Sequence, residues 1–468
     1  MRYGNGALYE IWGFCWRFDE AMMCSDQSKG LEGNRFTRAS LTGIGIRALG
    51  AACGFLFNVV LARTLGRAGT GSVMFYLNFA AMIGLIATGG MDVVGLRELS
   101  RAGGNRSRIA AVLADLASSA LPSLALFLTV GFVFLVLWGP SLAGAGNAWT
   151  CFACTLMLGL TALQKMLSDW LIALGDFLAS QLVFYFLNRV ASLILIAPVV
   201  SLAIGASASA QSFIWVYGAG LATTVLYAIA RISTHVSGRP SLRRRPSMPL
   251  LRDGVSCAMQ NAAFILLNLS PFLLLGAFST ASELGLFGVS QRLVAIVILA
   301  LTTISQLAMR DFSRAFGDRD FAALARALTT SMRLTFVAAT GLTIPLVVFA
   351  PVWVLVFGKS FAAAAPTLAL LSTAVCAQCF GMPFQAALLT TNNERVARNV
   401  TFVCAAIGIA LNVAFIPRLG APGAVLGTGT GLALQSLGHA ICAFRVLSLR
   451  VHLPVFEIVP RLASKGIR

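Results

Sequence analysis

Four basic side chains stand inside long apolar segments of this 468-residue chain: Arg47, Lys165, Arg189 and Arg292. A charge that faces lipid is costly, so each should face a cavity or a partner group. Lys165 and Asp169 are four residues apart, which places them on one face of a helix. These residue types indicate either a lined cavity for an anionic ligand or charge pairs that tie helices together.

Arg47 and the pair of Lys165 and Asp169 each have two interpretations. Arg47 is near the expected cytoplasmic end of its segment, so it either lines the cavity or snorkels to the membrane surface. Arg189 lies deeper in its segment, and Arg292 lies about one or two turns below the outer end of its own. We expect both to line a cavity. For Lys165 and Asp169 the favoured interpretation is a neutralising pair within the bundle, and the alternative is a proton-responsive pair in the cavity.

The composition explains why the segments around these residues should cross a membrane. The sequence is 58% hydrophobic and 11% charged, with a mean hydropathy of +0.83. A soluble domain carries about 25% charged residues, so lipid must be the main solvent. Apolar segments of about 20 residues, the length of a membrane span, are expected at 41–62, 70–91, 112–138, 149–174, 178–202, 210–231, 254–279, 285–309, 330–357, 362–390, 399–416 and 422–447.

The positions of the charges predict the orientation of these segments. The formal net charge is +18, from 35 Lys and Arg residues against 17 Asp and Glu residues. With the N-terminus inside, cytoplasmic tails and loops hold 27 of the 35 basic residues and outer loops hold four. This bias predicts that both termini are cytoplasmic, and it favours an anionic membrane surface over nucleic acid as the reason for the basic excess.

The two halves of the chain resemble each other. Residues 97–106 and 310–319 are identical at six of ten positions, and each follows the second apolar segment of its half. Because both loops are expected in the cytoplasm, the halves should be parallel repeats with a substrate site between them. The expected order is an N-terminal tail (1–40), a six-helix lobe (41–232), a basic linker (233–253), a second six-helix lobe (254–447) and a C-terminal tail (448–468).

Several short motifs resemble those of bacterial polysaccharide transporters, the oligosaccharide flippases of the multidrug/oligosaccharidyl-lipid/polysaccharide exporter superfamily. The resemblance covers about residues 40–447. It departs from the family at 69–72, where an aromatic residue usually precedes the glycine. The motifs are RALG (47–50), LARTLG (61–66), GMDVVGLRE (90–98), SELGLFG (282–288) with Gln291 and Arg292, LVFG (355–358) with Phe361, and Ile416 and Pro417 with Gly420, Gly423 and Ala424.

This resemblance implies an all-α integral membrane protein with about twelve transmembrane helices. They would form two six-helix lobes related by pseudo-two-fold symmetry, in a V-shaped exporter-like bundle that works by alternating access. The implied substrate is an oligosaccharide on a polyprenyl diphosphate carrier in the bacterial inner membrane, for lipopolysaccharide, capsule or exopolysaccharide synthesis. A polysaccharide polymerase and glycosyltransferases are the implied partners, besides membrane lipids.

A diphosphate-linked sugar needs cationic and amide groups in the cavity that carries it. Arg292 is our expected ligand of the diphosphate, because a guanidinium binds phosphate oxygens bidentately and keeps its proton. Asn58 and Asn78 are amides within apolar segments. They are candidates to meet sugar hydroxyls, and interhelical hydrogen bonding is their alternative role.

Two other classes of function compete with a flippase. A cation-coupled multidrug exporter typically needs an acidic residue in the first span, but residues 41–62 contain no Asp or Glu. A membrane glycosyltransferase or ligase usually has a large outer loop with catalytic carboxylates, and the outer loops here are short. No Walker A, GxSxG or HExxH pattern occurs in the sequence, so we expect neither an enzyme nor a cofactor.

Overall fold

The structure is a computed structural model that describes residues 31–102, 106–143, 147–202, 209–236, 248–391, 393–447, 449–452 and 457–460. Most of the expected N-terminal tail (1–30), much of the basic linker (237–247) and most of the C-terminal tail lie outside these ranges. Residues 31–40, also expected in the N-terminal tail, are already helical.

The helices of the first part of the chain follow the expected apolar segments closely. A π-helical turn at Leu182–Phe186 joins α5 to α6. The helices are α1 (Leu31–Ala87), α2 (Met91–Arg101), α3 (Arg106–Ala143), α4 (Ala148–Ala173), α5 (Phe177–Gln181), α6 (Leu187–Leu202), α7 (Ala210–Ser233) and α8 (Met248–Phe278).

The second part of the chain is built in the same way. A 3-10 turn at Lys359–Ala364 precedes α12. The helices are α9 (Ala281–Gly317), α10 (Phe321–Val348), α11 (Ala350–Leu355), α12 (Ala365–Thr390), α13 (Glu394–Leu419) and α14 (Ala421–Val446).

All twelve expected apolar segments are helical. In the described part of the chain, nine helices are long and apolar enough to cross a membrane. One of them, Gly45–Ala87, contains two expected spans, which are separated by a kink at Gly66. Gly66 has a φ of 64°, a conformation that glycine adopts without the strain of a side chain. Helix α8 contains a shorter apolar stretch, Ile265–Phe278, which is not one of these nine.

Capping residues explain where several helices begin. The side chains of Asn147, Ser209 and Asp320 accept hydrogen bonds from backbone N–H groups in the first turns of α4, α7 and α10. Each satisfies a donor that has no partner within its helix. At the other end, α13 stops at Gly420, whose φ is 60°.

The chain forms two compact units, which divide after Gly285. The first unit has a core where α2, α3, α4 and α7 meet, centred on Leu116, Trp170 and Leu171. The second has a core that includes Phe312 and Leu324. The helix α8, which we expected at the start of the second lobe, packs against α1, α2 and α3 of the first unit. The predicted bounds of the two lobes stay a prediction.

A short β-hairpin was not predicted by the sequence analysis. Strands β1 (Leu449–His452) and β2 (Glu457–Pro460) pair antiparallel, with Leu449 opposite Pro460. Each strand has four residues, which is too short for an alternating apolar pattern to stand out. The hairpin occupies part of the expected C-terminal tail, and it adds to a fold that is otherwise helical in the described ranges.

Candidate functional site

Six of the seven predicted site residues lie in the first unit, and Arg292 lies in the second. The six form two separate groups and one isolated amide. One group is a polar seam between α1 and the segment 177–189, and the other is a charged cluster between α2 and α4. Asn78 stands apart from both, farther along α1.

The seam is made by glycines on one face of α1. A Cβ on Gly43 would lie 2.9 Å from a ring carbon of Phe177, and one on Gly50 would lie 2.1 Å from the carbonyl oxygen of Tyr185. A Cβ on Gly54 would lie 2.8 Å from Cδ of Arg189. Positions three to four apart share one helix face, so these glycines let the backbone of α1 approach the facing segment closely.

Arg47 lies on the same face of α1 and is held against the facing segment. Its Nε donates to Oε1 of Gln181 at 2.7 Å. Its guanidinium carbon lies 4.9 Å from the centre of the Tyr185 ring, which is cation–π geometry. The side chain is half-buried. Arg47 therefore contacts protein groups of another helical segment. A side chain that only snorkels to the membrane surface would not need such contacts.

Arg189 contacts the backbone of Tyr185. Its Nη1 donates to the carbonyl oxygen of Tyr185 at 2.8 Å, and the π-helical turn ends between the two residues. Such turns occur frequently at functional sites. Among the residues that the structure describes, no carboxylate lies within 4 Å of the half-buried Arg189 guanidinium. Its charge therefore has only neutral partners within that part of the chain.

The side-chain amides of Asn58 and Asn78 donate hydrogen bonds within their own helix rather than to another helix. Nδ2 of Asn58 donates to the carbonyl of Gly54 at 2.6 Å, and Nδ2 of Asn78 donates to that of Met74 at 2.7 Å. Each bond runs four residues back along the same helix, which is a local option for short polar side chains. Oδ1 of Asn58, at the end of the seam, has no hydrogen-bond partner among the described residues.

Lys165 and Asp169 form the expected ion pair, and a third residue joins them. The ammonium of Lys165 is hydrogen-bonded to Asp169 and lies 3.4 Å from Oδ2 of Asp92. The Asp92 side chain is 2% exposed, against 25% for Lys165 and 19% for Asp169. Thr88 also donates to Asp92, from Oγ1 to Oδ1 at 3.3 Å. Two carboxylates and one ammonium leave this cluster with a formal charge of −1.

Sequence reasoning missed Asp92 as a site residue because it precedes Lys165 by 73 positions. Its place is set by a turn at Gly89 and Gly90, whose φ values are 58° and 77°. The indole Nε1 of Trp170 then donates to the carbonyl of Met91 at 3.0 Å, which fixes the start of α2 on α4. An acidic residue in the first turn of a helix after two glycines was the available signal.

The far end of α2 is tied to α8. Nη2 of Arg97 donates to Asp253 at 2.6 Å, and its Nε donates to Glu98 at 3.0 Å. Burial alone would lower the pKa of the Arg97 guanidinium, but hydrogen bonds from it to Asp253 and Glu98 raise that pKa above its usual value. At the opposite end, just before α2 begins, a Cβ on Gly90 would lie 2.0 Å from the carbonyl oxygen of Gly254, so the two backbones also touch there.

The second unit has a polar network of its own between α13 and α14. Nε2 of Gln435 donates to Thr401 at 3.1 Å, and Nδ2 of Asn412 donates to Thr428 at 3.1 Å. These are interhelical bonds of the kind that hold membrane helices together. Arg292 is half-buried on α9. Its expected place in one cavity with Arg189 stays a prediction.

Comparisons with known proteins agree with this fold. The sequence profile of a family described as "Polysaccharide biosynthesis protein" matches residues 43–310. The "Probable low-salt glycan biosynthesis flippase Agl15" of Haloferax volcanii is 22% identical over 243 residues, which are 51% of this chain and 50% of that protein. The match thus spans about half the length of that relative.

Solved transporter structures resemble most of the chain. An inward-facing multidrug resistance MATE family transporter of the MOP superfamily has a TM-score of 0.70 at 15% identity, covering 86% of this chain and 98% of that one. A MOP superfamily transporter from Pyrococcus furiosus, described by the reverse polarity of its binding pocket, has a TM-score of 0.56 at 14% identity, covering 87% and 95%. These likenesses confirm the expected exporter fold.

Proposed function

We propose the activity of this chain from one premise: it belongs to the polysaccharide biosynthesis protein family, whose profile matches residues 43–310. The chain is a multi-pass membrane protein with the fold of a transporter. Its activity is to flip a polyprenyl-diphosphate-linked oligosaccharide across the membrane by alternating access. The flippase relative from Haloferax volcanii supports transport rather than an enzymatic reaction.

One observation carries the substrate assignment: two half-buried guanidiniums, Arg47 and Arg189, contact the same residue, Tyr185. A cation within a membrane bundle needs an anionic or strongly polar partner. Since Arg189 has only neutral partners among the described residues, a diphosphate head group would supply the missing negative charge.

The other predicted residues have supporting roles in this proposal. Arg292 of the second unit is a further ligand of the diphosphate, because its guanidinium stays charged at cellular pH. Asn58 and Asn78 are near sugar hydroxyls, and the polyprenyl tail stays in lipid. Lys165 and Asp169 form a charge pair within the bundle, and Lys165 also offsets part of the charge of Asp92.

The cellular setting is part of the proposal. The protein lies in a bacterial inner membrane with both termini in the cytoplasm, as the charge bias favours. It serves lipopolysaccharide, capsule or exopolysaccharide synthesis, between the glycosyltransferases that build the lipid-linked unit and the polymerase that uses it. The family match supports this setting.

A second candidate is a cation-coupled multidrug exporter, which the likeness to MATE transporters supports. The first span argues against it, because residues 41–62 have no carboxylate and carry Arg47 instead. A basic seam attracts anions and repels cationic drugs.

The test is complementation of a strain that lacks this protein, with surface glycan measured and the protein level checked by blot. Arg189→Ala and Arg292→Ala should abolish export at a normal protein level. Arg292→Lys should restore it only in part, since a point charge loses the fork geometry. Arg418→Ala, at an exposed arginine, is the matched control and should export normally.

Full export by both Arg189→Ala and Arg292→Ala at normal protein level would refute the substrate assignment. Loss of the protein itself in these variants would instead indicate that the arginines only hold helices together. If deletion of the gene leaves surface glycan export unchanged and makes the cells sensitive to cationic drugs, that result would favour the multidrug exporter.

A further inference from the structure

We infer that Tyr185, with Gln181 and the π-helical turn at Leu182–Phe186, is a positioning element that sets the spacing of the Arg47 and Arg189 guanidiniums. The inference deepens the proposed function, on whose anion site it rests. Tyr185 and Gln181 are not ligands of the substrate here. They act through the two arginines.

Tyr185 is the residue that contacts both guanidiniums through different groups. Arg47 lies against its ring, 4.9 Å from the centre, while Arg189 donates to its carbonyl oxygen at 2.8 Å. One arginine comes from α1 and the other follows the π-helical turn, so a single residue relates side chains from two helices. A change in the position of Tyr185 would move both.

Gln181 fixes the remaining freedom of Arg47. Its Oε1 accepts from Nε at 2.7 Å, and the Gln181 side chain is buried. A hydrogen bond at Nε and an aromatic ring on the guanidinium face together hold the plane of that group. Ligand binding then loses less conformational freedom, because the arginine is ordered before the ligand arrives.

The backbone on both sides of Tyr185 is held by close contact. A Cβ on Gly50 would lie 2.1 Å from the Tyr185 carbonyl oxygen and 2.8 Å from its carbonyl carbon. Only a glycine lets α1 come this near, so the register between α1 and the π-helical turn is fixed at this point. The same carbonyl accepts the bond from Arg189, which ties the second guanidinium to that register.

The experiment measures binding of inorganic pyrophosphate, and of undecaprenyl diphosphate in nanodiscs, to the purified full chain. Tyr185→Leu removes the aromatic face and should weaken both affinities about 2- to 30-fold, the range of a cation–π contact. Tyr185→Phe keeps the ring and the carbonyl and should bind like the unchanged protein. Tyr227→Leu, at another half-buried tyrosine of the same unit, is the matched control and should also bind normally.

A double-mutant cycle separates positioning from a general structural role. If Tyr185 acts through Arg47, then Tyr185→Leu should have little further effect once Arg47→Ala is present. A structural defect would weaken binding by the same factor in both backgrounds. Gln181→Leu is similar in size and removes the hydrogen bond to Arg47. It provides a second cycle with Arg47→Ala, which is used if Tyr185→Leu unfolds at a lower temperature.

The outcomes distinguish this inference from the proposed function. If Arg47→Ala and Arg189→Ala bind both diphosphates like the unchanged protein, the anion site itself is wrong, and the positioning role is wrong with it. If the arginine variants lose binding while Tyr185→Leu and Gln181→Leu keep it, only the positioning role is overturned. Additive effects in both cycles also overturn it.

Discussion

Replacing Lys165 with methionine tests the charged cluster between α2 and α4. The substitution keeps the length of the side chain and removes its ammonium group, which lies between Asp92 and Asp169. The formal charge of the cluster changes from −1 to −2. The charge of Asp92 is left least compensated, because its carboxylate is 2% exposed and keeps only Thr88 as a partner among its described contacts.

Removing one partner of a buried ion pair costs about 3–5 kcal/mol, since a buried charge is left uncompensated. The side chains of Lys165 and Asp169 are 25% and 19% exposed, so water compensates part of the lost ion-pair energy. We therefore expect Lys165→Met to lower the free energy of unfolding by about 3 kcal/mol. Asp169→Asn should cost less, about 1 kcal/mol, because Lys165 and Asp92 remain as a neutral pair.

The assay is unfolding of the purified protein in detergent micelles, followed by tryptophan fluorescence, for the unchanged chain and both variants. The expected order of stability is unchanged protein, then Asp169→Asn, then Lys165→Met. The double variant Lys165→Met with Asp92→Asn should regain part of the loss, since the deeply buried carboxylate is gone. A less stable Asp169→Asn than Lys165→Met would show that Asp169, rather than the ammonium, holds the cluster together.

Three further predictions follow from single contacts. Gly71→Ala should lower the unfolding temperature in micelles, because the added Cβ would lie 1.7 Å from the carbonyl oxygen of Ala281. Gly45→Ala is the control and should leave that temperature unchanged, since a Cβ at Gly45 has no neighbouring atom within 4 Å. Equal effects of the two variants would contradict the close contact at Gly71. Trp170→Phe loses a 3.0 Å hydrogen bond at the start of α2 and should cost about 1–2 kcal/mol in the same assay, and an unchanged stability would argue against that bond. Gly238→Cys should react with an impermeant maleimide only after cells are permeabilised, and labelling in intact cells would refute the predicted orientation.

The structure also located the hydrogen-bond partners of particular residues. Interhelical bonding was the alternative to a sugar contact for Asn58 and Asn78, but Nδ2 of each donates to a carbonyl four residues earlier on its own helix. An amide has the same sequence signature in either case, because only its rotamer decides between a local and a distant acceptor. The ion pair of Lys165 and Asp169 was predictable, because a spacing of four residues on a helix fixes the distance without tertiary information.

The sequence by itself determined which segments are helical and that they belong in a membrane. Length and hydropathy are properties of each segment alone, and lipid leaves an apolar segment of that length little choice but to form a helix. All twelve expected segments are therefore helical, and the kink at Gly66 lies between the first two of them. The loop charges likewise predict orientation, without reference to any helix neighbour.

Only the tertiary structure decided which helix faces meet. Asp92 joins Lys165, Arg97 joins Asp253, and the Tyr185 ring meets Arg47, each across a long stretch of chain. These contacts depend on how each helix is rotated about its axis and how closely glycines allow two backbones to approach. Lipid-facing and buried surfaces of a membrane helix are both apolar, so hydropathy does not encode that rotation. A π-helical turn shifts it further, and the seam around Tyr185 became visible only when the helices were packed.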